Sequence, residues 1–308
     1  MRVSVVVPTY RRTRDLERCL EGLAAQRRQP NEVLVVVRST DTESRAVLIP
    51  WLDRPGIRMV PVEAGGQVNA LNAGLDAATG ELVMITDDDA APREDWVERV
   101  EALFAADARL GGVGGRDVVH LGDTVLGGSA RSVGRVQWFG RLTGNHHLVF
   151  DSPSHVDILK GANMSYRAAA IDGLRFDVRL RGAGAQVGND MAFSFAVGKR
   201  GWRLLYDPLV IVDHYPAPRF DNDQRGAVNL VAVEDMAFNT WWALRCHLGP
   251  GPRRLLALLW EHLVGTRGSP GLVREWVSRL RGDLRAVEIA AAARRGRAAA
   301  AAAYGELE

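Results

Sequence analysis

The chain has 308 residues, 47% apolar and 25% charged, enough for one large domain or two modest ones with a sizeable core, and its formal charge of +2 gives no reason to expect a nucleic-acid partner. Its two cysteines, Cys19 and Cys246, lie far apart without CxxC spacing, which argues against a disulfide framework or a zinc site. VSVVVP at the amino terminus lacks the longer apolar core of a signal peptide, and no run approaches the roughly 18 apolar residues of a membrane span, so the expected compartment is the cytoplasm.

VSVVVPTY (3–10) predicts a buried strand, and Leu16, Cys19, Leu20 and Leu23 give residues 13–26 helical spacing. NEVLVVV (31–37) predicts a second strand, RAVLIPWL (45–52) a helix, and IRMVPV (57–62) a third strand. GGQVNALNAGLDAATG (65–80) predicts a glycine-punctuated helix, and LVMIT after it a fourth strand. This β-α-β-α order predicts an α/β fold with a mostly parallel sheet and helices on both faces. In such sheets ligands bind beyond the carboxyl ends of the strands.

Asp87, Asp88 and Asp89 stand at such an end. Two carboxylates about 4 Å apart repel by roughly 4 kcal/mol at an effective dielectric near 20, so three together need a reason. Alternate side chains of an extended strand share a face, which lets Asp87 and Asp89 converge while Asp88 points away. A divalent cation with oxygen ligands, Mg²⁺ or Mn²⁺, would remove the repulsion and hold a substrate diphosphate. A helix start near Pro92 would account for one aspartate as a cap, but not for three.

From about 112 to 160 the pattern weakens into Gly, Ser, His and Trp, as in long loops that shape a pocket. LKGANMSYRAAA (159–170) returns to order and runs into a helix. A further helix is expected over about 190–199, then a turn at Gly201 and short strands. After about 220 the chain becomes helical and rich in Arg, Trp, Leu and Ala, and its alanine-rich end reads as a solvated or frayed helix.

VSVVVPTYRR, GGQVNALNAGL…TGELVMITDDDAAP, GANMSYR and GND…GKRGWRLLYDPLVIVDH fall in the order seen in family 2 glycosyltransferases, which the chain resembles over roughly residues 1–220. The resemblance implies a GT-A fold and an inverting enzyme that uses a nucleotide-diphospho-sugar donor. It implies a division into 1–115 for the nucleotide-sugar half, 116–220 for the acceptor half, and a helical region over 221–308 with a low-complexity tail. The triple aspartate then resembles the DXD motif, with Asp87 near the nucleotide ribose and Asp89 on the metal at the sugar diphosphate. Asp88 takes the middle position beside the nucleotide-sugar.

The same resemblance places Pro8, Thr9, Tyr10 and Arg11 in the loop that meets the nucleotide. Where the family carries an acid after the second strand this chain has Arg38, and Asp41 comes later as the nearest candidate for the nucleotide. Asn69 and Asn72, at an i, i+3 spacing, could bond a nucleotide or sugar or equally tie down backbone. Gly161 and Asn163 of KGANM fall where the family lines its sugar pocket, and His214 resembles a histidine that ligates the metal. Asp190 matches the family's general base, although the pair here is Asn189-Asp190 rather than two acids. As a residue alone, Asp190 could simply open a helix. His146 and His147 belong either to the acceptor site or to an exposed loop.

Trp241, Trp242 and Trp260 with several arginines resemble an interfacial helix surface, and packing on the catalytic domain is the competing reading. Peripheral contact with the inner face of the cell membrane would suit a lipid-linked hydroxyl acceptor; a glycan or small-molecule acceptor fits equally. The rivals are a non-catalytic nucleotide-sugar binder, suggested by Asn189, and a sugar-1-phosphate nucleotidyltransferase, whose GxGxR loop is missing after the first strand. A Rossmann dehydrogenase lacks its GxGxxG there.

Overall fold

The computed structural model describes residues 1–218 and 228–306, so the expected boundary at 220/221 lies outside the described residues. The first strands form where valines crowd both faces of the chain. β1 (Val3–Thr9) is buried along its whole length, and β2 (Glu32–Arg38), β3 (Ile57–Val62) and β4 (Leu82–Ile85) lie parallel in the order β3-β2-β1-β4. α1 (Thr13–Ala24), α2 (Thr42–Leu48) and α3 (Gln67–Ala77) make the crossovers. α2 begins earlier than predicted because Asp41 caps it, its side chain accepting from the Ser44 N–H, and Pro50 leaves only a 3₁₀ turn after Leu48.

Period-two alternation sends Val3, Val5 and Val7 to one face and Val6 to the other. The first face packs on Leu16 and Leu20 of α1 and on Val97, Val100 and Phe104 of α4 (Trp96–Ala106); the second packs on Val68 and Leu71 of α3 and on Phe193 and Val197 of α6 (Asn189–Lys199). Each fully buried leucine or phenylalanine contributes roughly 1.5–3 kcal/mol, so helices are held on both faces of the sheet. This is the expected α/β layering.

Beyond β4 the sheet becomes mixed. The complete order is β10-β12-β6-β11-β4-β1-β2-β3, with β6 (Leu110–Leu121), β10 (Ser154–Val156), β11 (Met164–Arg167) and β12 (Arg203–His214). β5 (Ala90–Pro92) pairs antiparallel with the end of β12, which draws His214 beside the aspartates. The small strands β7 (Thr124–Val125), β8 (Arg135–Val136) and β9 (Leu142–Thr143) ornament the loops between β6 and β10, and the single-turn α5 (Ala168–Ile171) follows β11.

The structure differs most from expectation at β6, where residues 112–121 belong to a long strand rather than a pocket loop. Its glycines conceal it: a Cβ at Gly115 would lie 1.8 Å from the Val210 carbonyl oxygen and one at Gly114 2.7 Å from that of Asn163. Glycine is what lets these neighbours approach. β12 likewise is one strand of 12 residues with an irregularity between Asp207 and Ile211, not a set of short ones.

The carboxyl-terminal part comprises α7 (Leu230–Trp242), a π-helical turn over Ala243–His247, α8 (Pro252–Leu263), α9 (Leu272–Leu280) and α10 (Leu284–Gly305). The alanine-rich tail is a packed helix rather than a solvated one. Small side chains allow a close approach to α7: Ala292, Ala293 and Ala300 are fully buried, and a Cβ at Gly296 would meet the Glu234 carbonyl oxygen at 2.1 Å. Trp242 takes the packing role, stacked on Phe238 and donating to Asp177 Oδ2 at 2.9 Å, and Trp241 packs against the same core.

Candidate active site

The carboxyl ends of β1 and β4 and the start of α3 enclose a cleft of about 360 Å³. Its floor carries all three aspartates, and its walls carry Pro8, Thr9 and Tyr10. Arg12 and Arg38, which the sequence did not single out as ligands, also line it. The Arg38 guanidinium lies 5.5 Å from the Tyr10 ring centroid and that of Arg11 5.2 Å, so an aromatic face framed by cations borders the cleft. Arg11 itself has a left-handed φ of 55°, held there as its N–H donates to Asp41 Oδ2 at 2.6 Å. Asp41 is thus buried between the Arg11 and Ser44 amides and anchors the loop from beneath, outside the cleft lining.

The three carboxylates have different partners, which is how the fold tolerates them. Asp88 accepts from Thr9 Oγ1 at 2.9 Å and from Arg12 Nη1 at 2.8 Å. Asp89 accepts from the Ala217 N–H at 3.0 Å, with His214 Nε2 at 3.2 Å and Arg12 Nη1 at 3.6 Å. Asp87 accepts from Gln67 Nε2 at 3.1 Å. Burial pushes the Asp87 carboxyl up to about 6, with the Asp89 charge adding to the rise. Burial likewise raises Asp88, to about 7, against the pull of Arg12. Burial acts on Asp89 in the same direction, yet His214, Arg12 and the Ala217 amide outweigh it and hold this carboxylate low. Asp89 is therefore the carboxylate most strongly held in its charged form.

Among the described residues no three His, Cys, Asp or Glu side chains form a metal cage. The Asp89–His214 pair nevertheless fits a cation that takes its remaining ligands from a diphosphate. His214 is buried, with its Nε2 3.2 Å from Asp89 Oδ1 and its Nδ1 4.0 Å from Asp117 Oδ2. A carboxylate with one imidazole suits Mn²⁺ and is less suited to Mg²⁺, which prefers oxygen throughout.

Asp190 lies in the first turn of α6, after Gly188 in a left-handed conformation. Its Oδ1 accepts from the Met191 N–H at 2.8 Å and its Oδ2 from the Gly161 N–H at 3.2 Å. A Cβ placed on Gly161 would lie 3.9 Å from Asp190 Oδ2 and 3.9 Å from Asp87 Oδ2. The two carboxylates, distant in sequence, therefore converge on the one residue of KGANM without a side chain. Lys160, one of only two lysines in the chain, sits beside them with Nζ 2.6 Å from Asp117 Oδ2. Asp117 is wholly buried and also lies 4.0 Å from His214 Nδ1. Nothing in the sequence around Asp117 marked it, since its strand read as loop.

Several expected residues lie elsewhere. Asn163 is fully buried, accepting from Trp96 Nε1 at 2.9 Å and donating to the Val210 carbonyl at 2.9 Å, so its amide ties strands together instead of facing a sugar. Asn72 exchanges two hydrogen bonds with the Phe176 backbone, and Asn69 donates to the Gly65 carbonyl at 2.6 Å. Neither lines the cleft. His146 is buried with Nε2 3.0 Å from the Ile158 carbonyl oxygen, whereas His147 is half-buried.

The profile of the family described as "Glycosyltransferase like family 2" matches residues 1–226. An uncharacterized glycosyltransferase of Nostoc sp., alr2836, is 27% identical over 128 residues, covering 41% of this chain and 40% of that protein. The chain spans under half the length of the other curated relatives compared. Among solved structures, the mannosyltransferase PcManGT from Pyrobaculum calidifontis, in complex with GDP-Man and Mn²⁺, superposes with a TM-score of 0.59 at 22% identity over 98% of this chain and 75% of that one. TarS 1–349 of S. aureus, in complex with UDP-GlcNAc, gives 0.61 at 16% identity over 94% and 79%. These likenesses show a GT-A fold.

Proposed function

The chain belongs to the family 2-like glycosyltransferases, and on that premise we propose that it moves a sugar from a nucleoside-diphospho-sugar to a hydroxyl acceptor, with inversion and with a divalent cation. The observation that carries the reading is that Asp87, in the floor of a cleft that holds three aspartates, converges with Asp190 on Gly161. A donor's nucleoside fits the Tyr10–Arg38 side, its ribose the neighbourhood of Asp87, and its diphosphate the neighbourhood of Asp89, His214 and Arg12. Nucleotide-sugar complexes of PcManGT and TarS support that class of donor.

Asp89 and His214 would hold the cation, which when bound supplies positive charge to the leaving diphosphate. Arg12, already paired with Asp88 and near Asp89, adds a fixed cation on the same side. Asp190 is held open to the acceptor by two backbone amides and takes the proton of the attacking hydroxyl. Attack from its side, opposite the diphosphate, inverts the anomeric centre. Lys160 balances the carboxylates gathered around Gly161.

The test is a panel of UDP-, GDP- and dTDP-sugars read by nucleotide release, with Mn²⁺, with Mg²⁺ and with chelator. Release from one donor, supported by a cation and abolished by chelator, is the expected result. Release unchanged by chelator would remove the cation from the account. Donor binding without any release, across acceptors, would make the protein a nucleotide-sugar binder.

A further inference from the structure

α8 and α9 are turned inside out. Soluble helices bury leucines and expose charges, but here the buried positions are Ala257 and Glu261 on α8 and Glu275 on α9. Glu261 is 1% exposed and Glu275 6%, and buried Arg297 of α10 lies behind them, donating to Ser269 Oγ at 3.0 Å. Leu255, Leu259 and Leu263 of α8 repeat every four residues on the opposite side, with exposures of 59%, 46% and 44%. Val273, Trp276 and Leu280 of α9 follow at i, i+3 and i+7, with Trp276 62% and Leu280 68% exposed. Leu284, at the start of α10, extends the same apolar run.

The face reaches the acceptor half of the fold. Gly140 packs on the α8 backbone, where a Cβ would meet the Leu256 carbonyl oxygen at 2.2 Å, and Phe139 packs edge-on against Trp260 at 5.0 Å. Trp138, beside them, is 80% exposed. Around this apolar surface the exposed charges are mostly cationic. Between 252 and 285 the exposed ionic side chains are Arg253, Arg267, Arg274, Arg279, Arg281, Arg285 and a single acid, Asp283. Arg267, Arg274 and Arg281 make no ion pair among the described residues.

We propose that the α8–α9 face docks on an anionic lipid bilayer, with the leucines and Trp276 in the headgroup–acyl boundary and the arginines on the phosphates. Continuous apolar surface accounts for the leucines, and the arginine rim selects an anionic lipid over a neutral partner. No helix among the described residues is long and apolar enough to cross a membrane, so the helices lie on the surface. Of the tryptophans singled out in the sequence, Trp242 is 1% exposed and Trp241 packs with the core, while Trp260 lies on α8 against Phe139. This inference does not depend on the sugar-transfer reading, and its test involves no turnover.

The test is flotation of the full chain with vesicles of phosphatidylcholine alone or mixed with phosphatidylglycerol. The wild type should float with the mixed vesicles only and dissociate as salt is raised. Leu259→Ser/Trp276→Ser/Leu280→Ser should lower partition by at least about 100-fold. Each arginine near an anionic surface contributes about fivefold, so Arg267→Gln/Arg274→Gln/Arg281→Gln should lower it by about 100-fold. All six substituted side chains are exposed, and the serine set should melt like the wild type; the glutamine set should stay folded although it removes Arg274, whose charge acts on buried Glu261. A wild type that fails to float, or floats equally with neutral vesicles, overturns the proposal. So does a wild-type dimer, seen by light scattering, that the serine set converts to monomer without any flotation; the face would then hold a second copy.

Discussion

Gly161→Ala separates a substrate path from a packing role, because the added methyl meets no obstacle in the protein. Its Cβ would rest 3.9 Å from Asp190 Oδ2 and from Asp87 Oδ2, ordinary contact distances, with no other heavy atom within 4 Å. Gly161 does not lie in the left-handed region, so alanine is unstrained there. Lower chain entropy in the unfolded state should make the variant about 0.4–1 kcal/mol more stable. The same methyl stands where an acceptor hydroxyl must come within about 2.6–3.2 Å of Asp190. Displacing reacting groups by about 1 Å costs on the order of 100-fold, so kcat/KM for transfer should fall by that order. Thermal melting and transfer kinetics on one preparation provide the assay. Undiminished transfer would refute passage of the substrate between Asp87 and Asp190, and a lowered Tm would refute the packing argument.

Asp89→Ala should weaken Mn²⁺-dependent binding of a nucleoside diphosphate by at least the roughly 10–100-fold seen when supporting groups of metal ligands are lost; calorimetry with and without the cation measures it, and unchanged affinity would move the cation elsewhere. Burial raises the Glu261 carboxyl from its ordinary value to about 7, opposed by Arg297 and Arg274. The folded state thus holds a proton that the unfolded state has released, and stability should fall by about 3 kcal/mol as pH rises from about 4.5 to 7. Glu261→Gln should flatten that slope in denaturant melts taken across the window; a slope that persists would assign the titration to another group.

The parallel half of the sheet was legible because its signals are local. Valine runs buried on both faces, helical spacing from Leu16 to Leu23 and the aspartates after LVMI need no knowledge of distant partners. What escaped depends on partners far along the chain. β6 looked like loop because its glycines answer to Val210 and Asn163, and with it Asp117 went unread. Asn163 has the chemistry of a sugar ligand, but Trp96 and Val210 occupy its amide. Arg12 is one arginine among many in the sequence, and only the pairing of Asp88 with Thr9, 79 residues apart, shows why it comes to the cleft. Which side of α8 and α9 is exposed was not legible for the same reason. Tryptophan content drew attention to Trp242, whereas the direction of each helix face depends on which side meets α10.

Asp190→Asn tests the catalytic account most directly. The substitution keeps the size of the side chain and an oxygen for the Met191 or Gly161 amide, but it cannot accept the acceptor's proton. The paired measurement is nucleotide-sugar affinity by calorimetry and transfer rate on the same protein. Affinity close to wild type with transfer slowed by about 10²–10⁴-fold is the result expected of a general base. A helix cap would behave otherwise, since Asn caps about as well as Asp. Transfer at the wild-type rate by Asp190→Asn would contradict the account.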